Sequence, residues 1–172
     1  VSFVFRTIEP YGQSVQYAAF LKLKEKLRAA GWFENRPPLK PFIKDVVIVT
    51  SSTGAVIHDF IRVVSQPFVN IRLFPVKVQG DGAAQEIAAA IDAVNAHTQA
   101  DVIVVARGGG ANVDLEPFNT EVVATAVHRS AIPILSAVGH ETDFSLCDFC
   151  ASARAATPSV AGEMIVSANA RL

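Results

Sequence analysis

The stretch Val46-Val47-Ile48-Val49-Thr50-Ser51-Ser52-Thr53-Gly54 decides the fold. Four consecutive apolar residues leave no polar face, so they read as a strand buried on both sides. Small hydroxyl residues and a glycine end it at once, as a loop should. A helical stretch through Ile57, Phe60, Ile61 and Val64 follows. The same beat recurs downstream. Ile71–Val76 leads into Gln79-Gly80-Asp81-Gly82 and an alanine-rich helix from Ala83 to about His97. Val102–Val105 leads into Arg107-Gly108-Gly109-Gly110, with a helix around Glu121–Arg129. Ile132–Val138 leads into Gly139-His140-Glu141-Thr142-Asp143 and a helix from Phe144 to about Ala151. Strands without internal alternation, each followed by a helix, specify an α/β fold: a doubly wound, mostly parallel sheet with helices on both faces.

Upstream, Val1–Arg6 alternates like a short strand. Gln16–Ala30 carries Phe20, Leu23 and Leu27 at helical spacing among lysines and arginines, with Gly31 as a natural stop. Asn35–Pro41 (NRPPLKP) holds three prolines and reads as an extended connector. The expected division is 1–15 as the remnant of a preceding domain, 16–41 as helix and connector, and 42–172 as the α/β domain. A start at Val1 and an abrupt end at Leu172 suggest a fragment of a longer chain.

Composition narrows the class. In 172 residues, 51% hydrophobic and 18% charged content supplies a core and rules out a disordered segment. No run approaches the roughly 18 apolar residues that span a bilayer, and no signal peptide is evident. A soluble, cytoplasmic protein without membrane association is expected. A net charge of −1 argues against nucleic-acid binding by bulk positive charge, though it leaves room for a local phosphate site. The two cysteines, Cys147 and Cys150, are too few for a disulfide framework.

In a parallel sheet, every loop that follows a strand emerges at the same edge, where ligands bind. Gly, Ser, Thr, His, Arg and Asp gather in these loops. Arg107 beside Gly108, Gly109 and Gly110 combines a planar cation with backbone that can approach an anion closely, which suits phosphate; the plainer alternative is a tight turn with Arg107 in a surface ion pair. His140 suits general acid–base work, with Asp143 to orient it or bind a metal; alternatively His140 caps the following helix. Gln79-Gly80-Asp81-Gly82 feeds a helix N-terminus and could seat a phosphate, or Asp81 could simply cap that helix. Asp59, in the first turns of its helix, reads first as a macrodipole residue, and neighbouring His58 as surface. Cys147 and Cys150 could join His140 and Asp143 around zinc, but two thiols three apart on a helix fit buried core positions better. Phe42, Phe60, Phe68 and Phe74 need only core roles.

The segments LKEKLRAAGWF, VTSSTGAVIHDF, PVKVQGDGAAQEIAAAI, VARGGGANVDLEPFNTEVVATA, IPILSAVGHETDFSLCDF and ARAATPSVAGE, in this order, resemble the exodeoxyribonuclease VII large-subunit family. The match runs from about Ala18 to Met164. Its most specific parts are S-A-V-G-H-E-T-D and the later R-A-x-T-P-S. The resemblance implies hydrolysis of single-stranded DNA to oligonucleotides. It also implies an OB-fold domain before this one, whose tail would be Val1–Gly12. A long helical C-terminal region, absent here, would recruit small subunits. Carried over by position, the implied catalytic residues are Asp59, Arg107, His140 and Asp143. Ser51, Thr53, Gln79 and Gly108–Gly110 are the expected phosphate or DNA contacts. The resemblance moves Asp59 from helix end to site. It implies no required cofactor, with Mg²⁺ the ion that Asp59 and Asp143 could hold.

The chain departs from the family pattern in three places. Ala111-Asn112-Val113-Asp114-Leu115-Glu116 replaces S-x-E-D-L-W, Ala156 stands where proline is usual, and Cys147 and Cys150 replace small apolar residues. A dinucleotide-binding module would need G-x-G-x-x-G after the first strand, and Thr50–Gly54 does not supply it. A folded scaffold inactive in isolation is the other alternative.

Overall fold

The computed structural model describes residues 11–108, 114–139 and 141–171. Helix α1 (Tyr11–Ala29) precedes strands β1 (Asp45–Thr50), β2 (Asn70–Pro75), β3 (Val102–Ala106), β4 (Ile134–Ala137) and β5 (Ala153–Arg154). Helices α2 (Val56–Val63), α3 (Ala83–His97), α4 (Glu121–Arg129) and α5 (Leu146–Cys150) lie between the strands, and α6 (Pro158–Ala170) follows the last. The strands form one parallel sheet in the order β2-β1-β3-β4-β5.

The central strands are apolar on both faces because each face meets helices. Val47, Val49, Ile103 and Val105 pack with Ile87 and Ile91 of α3 and Val123 and Val127 of α4. Val46, Ile48, Val102 and Val104 face the other way, toward Phe60 of α2 and Ile165 of α6. Helix α1 joins the first layer through the buried Leu27. It ends where Gly31 turns to φ +79° and the Trp32 N–H reaches the Leu27 carbonyl at 3.1 Å, a left-handed stop that glycine makes cheap. On the second layer, α2 and α6 lie close because Gly162 has no side chain. A Cβ there would come within 2.9 Å of Val63 Cγ1.

The topology fixes where a ligand can bind. After β1 the chain passes to α2 on one face, and after β3 it passes to α4 on the other. β1 and β3 are neighbours, so their following loops part and leave a crevice at the carboxyl ends, the topological switch point.

Several expectations change. β2 reads as a buried run but is the edge strand, and Leu73 is exposed there. β5, only two residues long, carries no pattern to detect. Helix α6 escapes a search for apolar beats, yet Thr157-Pro158 is a start signal: the Thr157 hydroxyl accepts from the Val160 N–H at 3.1 Å, and proline occupies the first turn. Phe42 and Phe68 are not core residues; they stack on each other at the surface, 5.5 Å between centroids. Asp81 does not cap α3, whose N-cap is Gly82 at φ +83°. The strand expected at Val1–Arg6 lies outside the described residues.

Candidate functional site

The crevice at the switch point is a cavity of about 560 Å³. β1 ends on the buried Thr50, and the loop beyond turns on itself. Ser51 Oγ lies 3.1 Å from Thr53 Oγ1 and accepts the Thr53 N–H at 3.2 Å. Both residues line the cavity, as does Asp59 from the first turn of α2. Gln79 and Lys77 come from the loop after β2. Arg107 and Gly108 come from the end of β3, and Pro158 from the start of α6.

Arg107 is the buried cation of this group, 8% exposed. Its main chain continues the sheet, with the N–H donated to the Ala137 carbonyl at 3.3 Å. Its Nη1 donates to the Gly108 carbonyl at 3.0 Å. That anchors the guanidinium beside the cavity floor and keeps its planar fork near one orientation. The Gly108 position tolerates little bulk, because a Cβ would lie 3.1 Å from Val56 Cγ2. A smaller cavity of about 50 Å³ continues from Arg107 and Gly108 past Val138 and Gly139 to Thr157. The N-termini of α2 and α6 therefore both open near Arg107, and their helix dipoles add to the positive potential.

Asp59 is half-exposed and accepts from Arg62 Nη2 at 2.6 Å. Asp59 sits in the first turn of α2, where the macrodipole reading puts it, and also lines the cavity. His58 is exposed, as expected.

Asp143 is placed differently. It lines a separate groove of about 680 Å³ with Phe144, Phe149 and residues of α1, on the other side of the loop that follows β4. His140, Gly109 and Gly110 lie outside the described residues, as do Ala111, Asn112 and Val113. The expected contact of Asp143 with His140 therefore falls outside them too. Six of the ten expected site residues share the crevice (Ser51, Thr53, Asp59, Gln79, Arg107 and Gly108), and Asp143 opens onto its neighbour. Lys77 and Pro158 were missed. Lys77 is the second residue past the edge strand that β1 pairs with, and that pairing is invisible until strand order is known.

The loop carrying Asp143 is held by a buried carboxylate. Asp148 accepts from Ser136 Oγ at 2.7 Å, from the Ser145 N–H at 2.7 Å and from Ser145 Oγ at 3.0 Å, and Arg154 Nε lies 3.6 Å away. Ser145 caps α5 in return, receiving the Asp148 N–H at 3.2 Å. Cys147 and Cys150 are both buried beside this network. Burial, with the Asp148 charge, pushes the Cys147 thiol far above its ordinary range. Burial pushes Cys150 up to about 11, against the opposing charge of Arg36. Protonated core thiols are poor zinc ligands. Among the described residues, no three His, Cys, Asp or Glu side chains are grouped so as to hold a metal ion.

A sequence profile described as "Exonuclease VII, large subunit" matches residues 33–172. This chain belongs to that family. It is 49% identical over 169 residues to the exodeoxyribonuclease 7 large subunit of Geobacter sulfurreducens, covering 96% of this chain and 38% of that protein. The protein of the same description from Geobacter metallireducens is 48% identical, covering 99% and 38%. That of Streptococcus pyogenes serotype M5 is 47% identical, covering 95% and 37%. The chain thus spans a little over a third of the length of these relatives. Among the described residues, no helix is long and apolar enough to cross a membrane.

Proposed function

We propose that this chain is the catalytic part of an exonuclease that hydrolyses phosphodiester bonds of single-stranded DNA to oligonucleotides, working with a small subunit in the cytoplasm. Membership of the exonuclease VII large-subunit family supports this reading. The observation that carries it is the buried Arg107, anchored beside Gly108 at the switch-point crevice where the N-termini of α2 and α6 open.

The chemistry is a displacement at phosphorus by water. The water oxygen bonds to phosphorus, one P–O ester bond breaks, and the leaving sugar oxygen takes up a proton. Arg107 and the N–H groups of Gly108, Gly109 and Gly110 stabilise charge gathering on the phosphoryl oxygens, where preorganised donors contribute most. His140 takes the proton from water or gives one to the leaving oxygen, worth on the order of 10²–10⁴-fold. Asp143 orients His140. Asp59 positions the water, and its carboxylate is the crevice group that could hold Mg²⁺. Ser51, Thr53 and Gln79 bind neighbouring phosphate oxygens, and Lys77 adds charge at the rim. No step here requires a metal.

The test is hydrolysis of end-labelled single-stranded DNA by the full-length large subunit with its small subunit. Wild type is compared with His140→Ala, with and without EDTA. Collapse of activity in His140→Ala supports the assignment, and full retention refutes it. Loss of wild-type activity in EDTA supports a metal held at the Asp59 carboxylate; indifference to EDTA supports the metal-free route.

A further inference from the structure

The groove that Asp143 lines has a composition that the hydrolytic step does not use. Tyr17 is 63% exposed and Phe144 is 45% exposed, and both face this cavity of about 680 Å³. Leaving two large rings in water gains nothing for the fold, since burial of such a ring is among the larger stabilising terms available. Phe144 is also held in place. The Arg154 guanidinium lies over its ring, 3.9 Å from the centroid, and Phe149 stacks against it at 5.7 Å. Arg154 in turn faces the buried Asp148 carboxylate. Lys24 projects over Phe149 at 4.6 Å and also lines the groove. The Leu146 N–H donates to the Asn119 side-chain oxygen at 2.9 Å, so what Asn119 offers a ligand is its NH2 group.

Exposed rings beside one lysine and one amide match what unpaired nucleobases bind: a π-face to stack on and a cation near the backbone, with Arg154 bracing Phe144 from outside the groove. A groove for an apolar peptide would need no lysine beside its rings. Phe144 directly follows Asp143, so the groove starts where the proposed cleavage loop ends. We propose that this groove is a base-stacking subsite, in which Tyr17 and Phe144 hold nucleobases of the single strand next to the scissile phosphate. The inference rests on the nuclease reading above and extends it from the phosphate to the bases. It also gives a physical basis for preferring single strands, because paired bases have no free faces to offer.

The experiment measures binding of fluorescent phosphorothioate oligonucleotides to the full-length large subunit with its small subunit, by anisotropy. One oligonucleotide carries all its bases, and the other has a run of abasic sites. Wild type is expected to bind the base-bearing strand more tightly. Phe144→Ala and Tyr17→Ala are each expected to shrink that ratio by roughly fivefold or more, the loss of about one stacked base. Phe144→Trp is expected to keep it. Tyr17 is largely in solvent, so Tyr17→Ala tests the idea without threatening the fold. A ratio unchanged in both alanine variants overturns the subsite while leaving the nuclease reading intact, provided wild type still cleaves unmodified single strands. A wild type that neither binds nor cleaves them overturns both.

Discussion

Gly139→Ala is the substitution whose consequence follows most directly from the geometry. Gly139 begins the loop that carries His140 and Asp143, just past β4. A Cβ at this position would sit far inside the 3.0 Å that real Cβ atoms keep from the Asp143 carbonyl oxygen, and 3.3 Å from Asp148 Oδ2. The first obstacle is backbone, so it cannot rotate away as a side chain would. The second is anchored by Ser136 and Ser145. An ordinary C···O approach is about 3.3–3.6 Å, so the Asp143 carbonyl must withdraw by on the order of 1 Å. Overpacking of this kind costs about 1–3 kcal/mol. A displacement of about 1 Å in catalytic groups costs roughly 10²-fold in rate. Thermal unfolding and single-turnover cleavage of single-stranded DNA are the paired assays, both on the full-length protein with its small subunit. The expected result is a modest loss of stability with a disproportionate loss of rate. Wild-type rate and stability together would refute the reasoning, since they would mean that the loop accommodates the methyl group without moving Asp143.

Two further outcomes follow from buried and bridging groups. Asp101 accepts the Lys44 and Asp45 N–H groups and the Lys40 ammonium, each at 2.9 Å. Partial burial opposes its ionisation, but these donors outweigh it and hold the carboxyl below its usual range. A lowered folded value means that stability is fully present above the ordinary carboxylate pKa of about 3.9 and is lost as pH falls through the lower folded value. Asp101→Ala is expected to cost about 1–3 kcal/mol at neutral pH and to flatten that part of the acid unfolding curve; an unchanged curve in urea titrations across pH would contradict it. Cys147 and Cys150, buried and with raised thiol pKa values, are expected to resist iodoacetamide at pH 8 in the native protein and to react on unfolding. Rapid native labelling of either, read by mass spectrometry, would show that the α5 layer opens.

Much of the fold is legible because burial on both faces leaves a plain signature. Val46–Val49 and Val102–Val105 have no polar alternation, and only a central parallel strand with helices above and below needs that. β2 shows the limit of the signature. Ile71, Leu73 and Phe74 read as an apolar run, yet Arg72 and Pro75 interrupt it and strand order puts it at the edge. A charge and a proline inside a strand are the local marks of an edge, and the apolar neighbours mask them. α6 was legible in principle from Thr157-Pro158, but its start lies beside the site and its apolar spacing is diluted by Ser159, Gly162 and Glu163.

The site divides the same way. Loop position after a strand tells which rim a residue occupies, which is why Ser51, Thr53, Asp59, Gln79, Arg107 and Gly108 come together. It does not tell which side of the rim. β4 lies beyond β3, away from β1, so the loop after it flanks Arg107 through Gly139 and sends Asp143 toward α1. The aromatic groove there combines Tyr17 and Phe144, 127 positions apart in the chain, and only the docking of α1 against α5 reveals it.

The most direct test of the central claim is the single-turnover rate of single-stranded DNA cleavage by Arg107→Lys in the full-length protein with its small subunit. Lysine keeps the charge but loses the planar fork and the anchor on the Gly108 carbonyl. The account predicts a fall of roughly 10²-fold or more, with a thermal transition and DNA affinity close to wild type. A rate equal to wild type would contradict it, because the switch-point crevice would then not be where the phosphodiester is cleaved.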